Sequence, residues 1–87
     1  MFIIMVYDVQ QKRVNKVLKK SREYLTWIQN SVLEGELSSA KFIEFKSKIK
    51  KIIDKENDSV IFYTFREKTY TGREVLGVEK GSEQIIF

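Results

Sequence analysis

The chain opens on Phe2-Ile3-Ile4-Met5-Val6-Tyr7, a continuous apolar run rich in β-branched and aromatic residues that stops at Asp8. Such a run, without polar alternation, predicts a strand buried on both faces. The period then changes. Val14, Val17, Leu18, Tyr24 and Leu25 fall on one helical face, and Lys12, Lys16, Lys19 and Lys20 fall on the opposite one. The first helix therefore presents a basic stripe to solvent. From Thr26 to Leu37, Trp27, Ile28, Val32 and Leu33 surround a polar Gln29-Asn30-Ser31 centre. This spacing fits either a hairpin turning near Asn30-Ser31 or one long strand with a bulge.

Ser38-Ser39 offers an N-cap, and Phe42, Phe45, Ile49, Ile52 and Ile53 follow at helical spacing, predicting a second helix to about Asp54. Glu56-Asn57-Asp58-Ser59 reads as a polar turn. Val60-Ile61-Phe62-Tyr63-Thr64-Phe65 reads as another strand apolar on both faces. A short loop with Gly72 then leads to Glu74-Val75-Leu76, a last strand ended by Gly77. The order β-α-β-β-α-β with an extra C-terminal strand predicts an α+β, ferredoxin-like fold, with two helices on one face of an antiparallel sheet. The other sheet face must be solvated, bind something or pair with another copy. We assign residues 1–78 to this domain and 79–87 to a tail. The tail closes on Ile85-Ile86-Phe87, apolar where most chain ends fray, and is expected to add a strand to a partner protomer's sheet edge; the alternative is a tail without order.

With 87 residues there is material for one domain. A chain this short buries only about 60–65% of its extended surface, so dimerisation would reinforce a thin core. Cys and His are both absent. That excludes disulfides, thiolate nucleophiles, zinc sites built on Cys or His, and an imidazole base. Any intrinsic metal site must be made of oxygen, which suits magnesium, manganese or calcium. The longest apolar run, Met1 to Tyr7, is too short for a membrane span or a signal peptide, so a cytoplasmic protein without membrane contact is expected.

The net charge of +4 is modest but unevenly placed. Residues 11–25 hold six basic side chains against one acid, and residues 41–55 hold six lysines against two acids. Two basic elements in a small domain suit a polyanion, nucleic acid being the commonest, although lysine-rich helix faces are often simply solvated. Among groups that could do chemistry, Asp8 ends the first strand beside the basic helix. It is a metal-binding carboxylate, a helix N-cap or simply the polar residue that ends a strand. One carboxylate is a poor magnesium site, but magnesium takes only one or two carboxylates plus phosphate oxygens, and a two-fold axis could supply a second Asp8. Tyr7 is expected on the opposite sheet face as a packing aromatic. Arg13, at the boundary of the apolar and basic helix faces, could reach solvent or phosphate, and Lys12, Lys16 and Lys19 are candidate phosphate contacts. Trp27 could stack on a base, although a lone strand Trp is more often core.

The strand ending Val6-Tyr7-Asp8, the basic helix beginning Lys12-Arg13-Val14, and above all Gln29-Asn30-Ser31-Val32-Leu33-Glu34-Gly35-Glu36-Leu37 resemble the small CRISPR-associated adaptation proteins of the Cas-two family. The resemblance covers nearly the whole chain. It implies a ferredoxin-like homodimer whose C-terminal strand pairs with the partner's sheet. That dimer would hold duplex DNA for the CRISPR integrase during spacer acquisition. It further implies that Asp8 binds Mg2+, with Mn2+ as a substitute, for endonuclease action on single-stranded RNA or on DNA, as in some members and not others. The family's basic residues on the first helix fall on Arg13 and Lys16. Two positions depart from the family: Leu33 stands where an aromatic is common, and Trp27 where a basic residue is sometimes found. A non-catalytic DNA-binding dimer, or an RNA-binding ferredoxin-fold module outside CRISPR, are the alternatives.

Overall fold

A computed structural model describes residues 1–79. The elements run β1 (Phe2–Asp8), α1 (Gln11–Ser21), β2 (Thr26–Gln29), β3 (Val32–Glu36), α2 (Ser39–Ile52), β4 (Ser59–Arg66) and β5 (Thr69–Gly77). Every strand pairing is antiparallel, and the sheet order is β2-β3-β1-β4-β5. This is the expected ferredoxin-like arrangement, with β5 added outside β4 as the extra strand. The expected tail strand lies, apart from Glu79, outside the described residues.

Both helices cover one sheet face. Val17 of α1 and Phe42, Phe45 and Ile49 of α2 pack on Ile3, Met5, Tyr7, Leu33, Val60, Phe62 and Leu76, all buried. Phe62 receives the edges of Phe42 and Phe45 at ring-centroid distances of 5.2 and 5.7 Å, and Tyr24 stacks on Phe45 at 4.7 Å. Each such side chain contributes about 1.5–3 kcal/mol through burial. The strands β1 and β4 are not covered equally on both sides, contrary to the sequence expectation. In β1, Ile3, Met5 and Tyr7 are buried, whereas Phe2, Ile4 and Val6 are only half-buried. The register continues this second face into Ile61, Tyr63 and Phe65 of β4 and Val75 of β5. The long apolar runs thus reflect a sheet with one face under helices and one apolar face uncovered in the single chain.

Residues 26–37 form a hairpin turning at Asn30-Ser31, with a register shift between Trp27 and Gln29, so both readings of this segment contain part of the answer. Asn30 takes φ +38°, a left-handed conformation that Asn tolerates in a turn. Ser38 caps α2, its Oγ accepting the Lys41 N–H at 3.1 Å, but the helix stops at Ile52, short of Asp54. Gly72 does not sit in a loop. It pairs with Thr64 inside β5, which is nine residues long and turns out of β4 through Glu67 and Lys68, both at positive φ.

Candidate nucleic-acid and metal site

Asp8 ends β1 opposite Ser59 and is exposed. By strand alternation it belongs to the uncovered face with Phe2, Ile4 and Val6. It is not the helix cap. That position is Gln10, two residues on, whose side chain makes no capping bond. Around Asp8 the chain is tightly laced. The Tyr7 N–H donates to the Ser31 carbonyl at 3.0 Å, and the Tyr7 hydroxyl donates to the Asn30 carbonyl at 3.4 Å. That same carbonyl accepts the Trp27 indole N–H at 2.9 Å. Tyr7 itself points into the core, as expected, and burial pushes its hydroxyl pKa up, which suits a hydrogen-bond donor and not a phenolate base.

The four basic residues proposed as nucleic-acid contacts separate. Lys12, Lys16 and Lys19 are exposed, and none forms an ion pair among the described residues. No residue in the first turn of α1 is acidic, and the carboxylate at the positive end of the helix comes from Asp58, which accepts the N–H of the N-cap residue Gln10 at 2.9 Å. Arg13 turns inward. Its Nε and Nη2 donate to the Asp58 carboxylate, the latter at 3.1 Å, and Nη2 also donates to Gln10 Oε1 at 2.6 Å. Three lysines of the second basic stretch have partners within the fold, and Lys50, Lys51 and Lys55 are exposed without an ion pair among the described residues. Lys41 pairs with Glu44 at 3.4 Å, Lys46 with Glu74 at 2.9 Å, and Lys48 lies 5.6 Å above the Tyr24 ring. Each basic stretch thus keeps three exposed lysines without an ion pair among the described residues: Lys12, Lys16 and Lys19 in the first, where Lys20 pairs with Glu23 at 3.2 Å, and Lys50, Lys51 and Lys55 in the second.

Asp58, read from sequence as part of a polar turn, is the residue supporting the candidate site that sequence reasoning misses. Its side chain is 0% exposed. Its oxygens accept Arg13 Nε and Nη2, the Gln10 N–H at 2.9 Å and the Asp54 N–H at 2.8 Å. One carboxylate thus ties the entry to α1, the exit from α2 and the start of β4. Arg13 first, and then the two backbone donors, hold its pKa down to about 2 against the desolvation that would raise it. Its carbonyl accepts the Val78 N–H at 2.8 Å, and Gly77, at φ +84°, passes so close that any Cβ there would collide with that oxygen. The only hint in the sequence is a carboxylate placed directly before a strand that begins apolar, where water is scarce.

Asp58 is thus fully committed and cannot ligate a metal. Among the described residues no three of His, Cys, Asp and Glu form a group that could hold one. Asp8 is an exposed carboxylate at the end of β1, and the candidate phosphate contacts Lys12, Lys16 and Lys19 lie on the helix that follows it in the chain. This fits magnesium only if phosphate, water and a second copy of Asp8 complete the shell.

A family model described as CRISPR associated protein Cas2 matches residues 1–73. The CRISPR-associated endoribonuclease Cas2 of Dictyoglomus turgidum is 58% identical over 87 residues, covering all of both chains. The protein of the same name from Thermotoga maritima is 52% identical, again over the full length of both. A crystal structure of Cas2 superposes with a TM-score of 0.75 at 44% identity, covering 100% of this chain and 98% of that one. The resemblance carried by Val6-Tyr7-Asp8 and by Gln29 to Leu37 extends over the whole chain.

Proposed function

Because the chain belongs to the Cas2 family of CRISPR-associated proteins, we propose that it acts in the cytoplasm as a homodimeric nucleic-acid scaffold for spacer acquisition. In this reading it holds duplex DNA for the CRISPR integrase and cleaves phosphodiesters, of single-stranded RNA or of DNA, at Asp8. The observation that carries the reading is the position of Asp8: an exposed carboxylate at the rim of an uncovered apolar face, followed in the chain by a helix with three exposed lysines, Lys12, Lys16 and Lys19. Packing that face against a second copy would bury Phe2, Ile4, Val6, Ile61 and Phe65, about 1.5–3 kcal/mol for each side chain fully covered. A two-fold axis there would bring the two Asp8 residues towards one another.

Asp8 from each protomer would hold Mg2+, or Mn2+ in its place. Such an ion, when bound, supplies positive charge to the phosphate oxygens as they gain negative charge. The chain's own residues do the rest. Lys12, Lys16 and Lys19 grip backbone phosphates without reading sequence, which suits both a scaffold and an unspecific nuclease. Arg13 and Asp58 keep the start of α1 against the end of β1, so the lysines and Asp8 stay in one frame. The endoribonuclease named in the relatives supports the catalytic half of this reading. The test is magnesium-dependent cleavage of single-stranded RNA and DNA by rigorously purified wild type and by Asp8→Asn. Wild type should cut and the variant should not. Equal cleavage by both, or none by wild type at any pH or divalent ion, would remove the catalytic half and leave the scaffold.

A further inference from the structure

Trp27 is the chain's single tryptophan, and it is 45% exposed on β2, an edge strand whose four residues are all exposed. Leucine-sized apolar groups on a surface need no explanation, but this ring is both large and held in place. Its N–H is spent on the Asn30 carbonyl, the acceptor also used by the Tyr7 hydroxyl, so the indole is fixed to the turn beside the Asp8 end of the sheet. The Arg22 guanidinium lies 5.7 Å from its ring centroid. Arg22 also lines a surface hollow of about 370 Å³ with Asn15, Leu18, Lys19 and Glu23, along the stripe that carries the unpaired lysines of α1. An aromatic face with its polar atom already satisfied, next to cations, is complementary to one ligand chemistry: a flat base attached to a phosphate chain.

We infer that the Trp27 indole is a stacking platform for an unpaired base of single-stranded nucleic acid, whose phosphates lie on Lys19 and Arg22. The inference rests on the reading of Asp8 as the cleavage centre and names its substrate as a strand with bases free to stack. A paired base presents no open face, so duplex DNA gains nothing from Trp27. Because the indole is held before the strand arrives, little ordering is lost on binding.

The test is metal-free titration, so that no strand is cut and binding is read apart from cleavage. Emission of the single tryptophan and affinity are followed with a single-stranded oligoribonucleotide, an abasic oligonucleotide of equal length and a duplex. The strand with bases should quench Trp27 saturably, and the abasic strand should not. Trp27→Ala should weaken binding of the strand with bases roughly 5- to 100-fold while leaving the abasic strand and the duplex within about twofold. Trp27→Phe, which keeps an aromatic face, should recover most of the affinity. Equal quenching by the abasic strand, or unchanged affinity in Trp27→Ala, would overturn the inference while leaving the proposed function standing. Failure of wild type to bind any of the three probes would overturn both.

Discussion

Asp8 and Asp58 stand at the same end of the sheet, Asp8 ending β1 opposite Ser59 and Asp58 immediately preceding Ser59. Asp8 ends its strand at the surface; Asp58 precedes its strand in the interior. Burial without partners would cost a carboxylate several kcal/mol, and Asp58 meets that with four donors, two from Arg13 and two from backbone. The two aspartates show how one residue type divides between architecture and chemistry. A buried carboxylate saturated by the fold is closed to a cation, whereas one at an exposed rim is within reach of water and ions. Arg13 follows the same division, since its fork serves Asp58, whereas Lys12, Lys16 and Lys19 on the same helix face water.

The largest effect should come from breaking the buried member. Asp58→Ala leaves Arg13 without its carboxylate and two backbone donors without an acceptor, and is expected to lower the unfolding free energy by about 3–5 kcal/mol in a urea titration. A change as small as that of an ordinary surface substitution would refute the architectural role. Acid should act on the same residue. The Asp58 pKa falls from 3.8 in the free side chain to about 2 in the fold, so the folded form binds this proton more weakly than the unfolded one. Its stabilisation is therefore complete above 3.8 and is lost as the pH falls through about 2. Urea midpoints followed down through this window should drop in wild type and show a shallower slope in Asp58→Asn. A smaller effect sharpens the other side. Lys16→Ala with Lys19→Ala should make the slope of log affinity against log salt for duplex binding shallower by about 0.9 for each phosphate no longer neutralised, with stability unchanged within about 0.5 kcal/mol. Lys41→Ala with Lys46→Ala, at lysines already paired within the fold, should change the slope less.

Much of the fold is legible in the sequence because each element carries its own period. The apolar run of β1, the helical spacing of Phe42, Phe45 and Ile49, and the Ser38 cap are local signals. The β4–β5 turn is not legible, because Glu67 and Lys68 hold positive φ without the Gly or Asn that normally marks it. The uncovered sheet face is hidden for a different reason: an apolar residue facing a helix and one facing outward look alike in sequence. For the candidate site, the exposure of Asp8 at the strand end and of Lys12, Lys16 and Lys19 on the helix follows the sequence pattern. Arg13 does not declare its partner, because Asp58 lies 45 residues away and only the β1–β4 pairing brings them together. Trp27 reads in sequence more as core than as surface. The ring stays exposed because β2 is the edge strand and its N–H is satisfied at the turn.

The division between the two aspartates is tested most directly by one paired measurement on Asp8→Asn: its urea unfolding curve and its magnesium-dependent cleavage of single-stranded RNA, on the same preparation. The substitution keeps size and most hydrogen-bonding capacity and removes the charge a hard cation requires. The unfolding free energy should stay within about 1 kcal/mol of wild type, as for an exposed side chain, and cleavage should fall to background. An unfolded or strongly destabilised Asp8→Asn, or one that cuts as wild type does, would contradict the account.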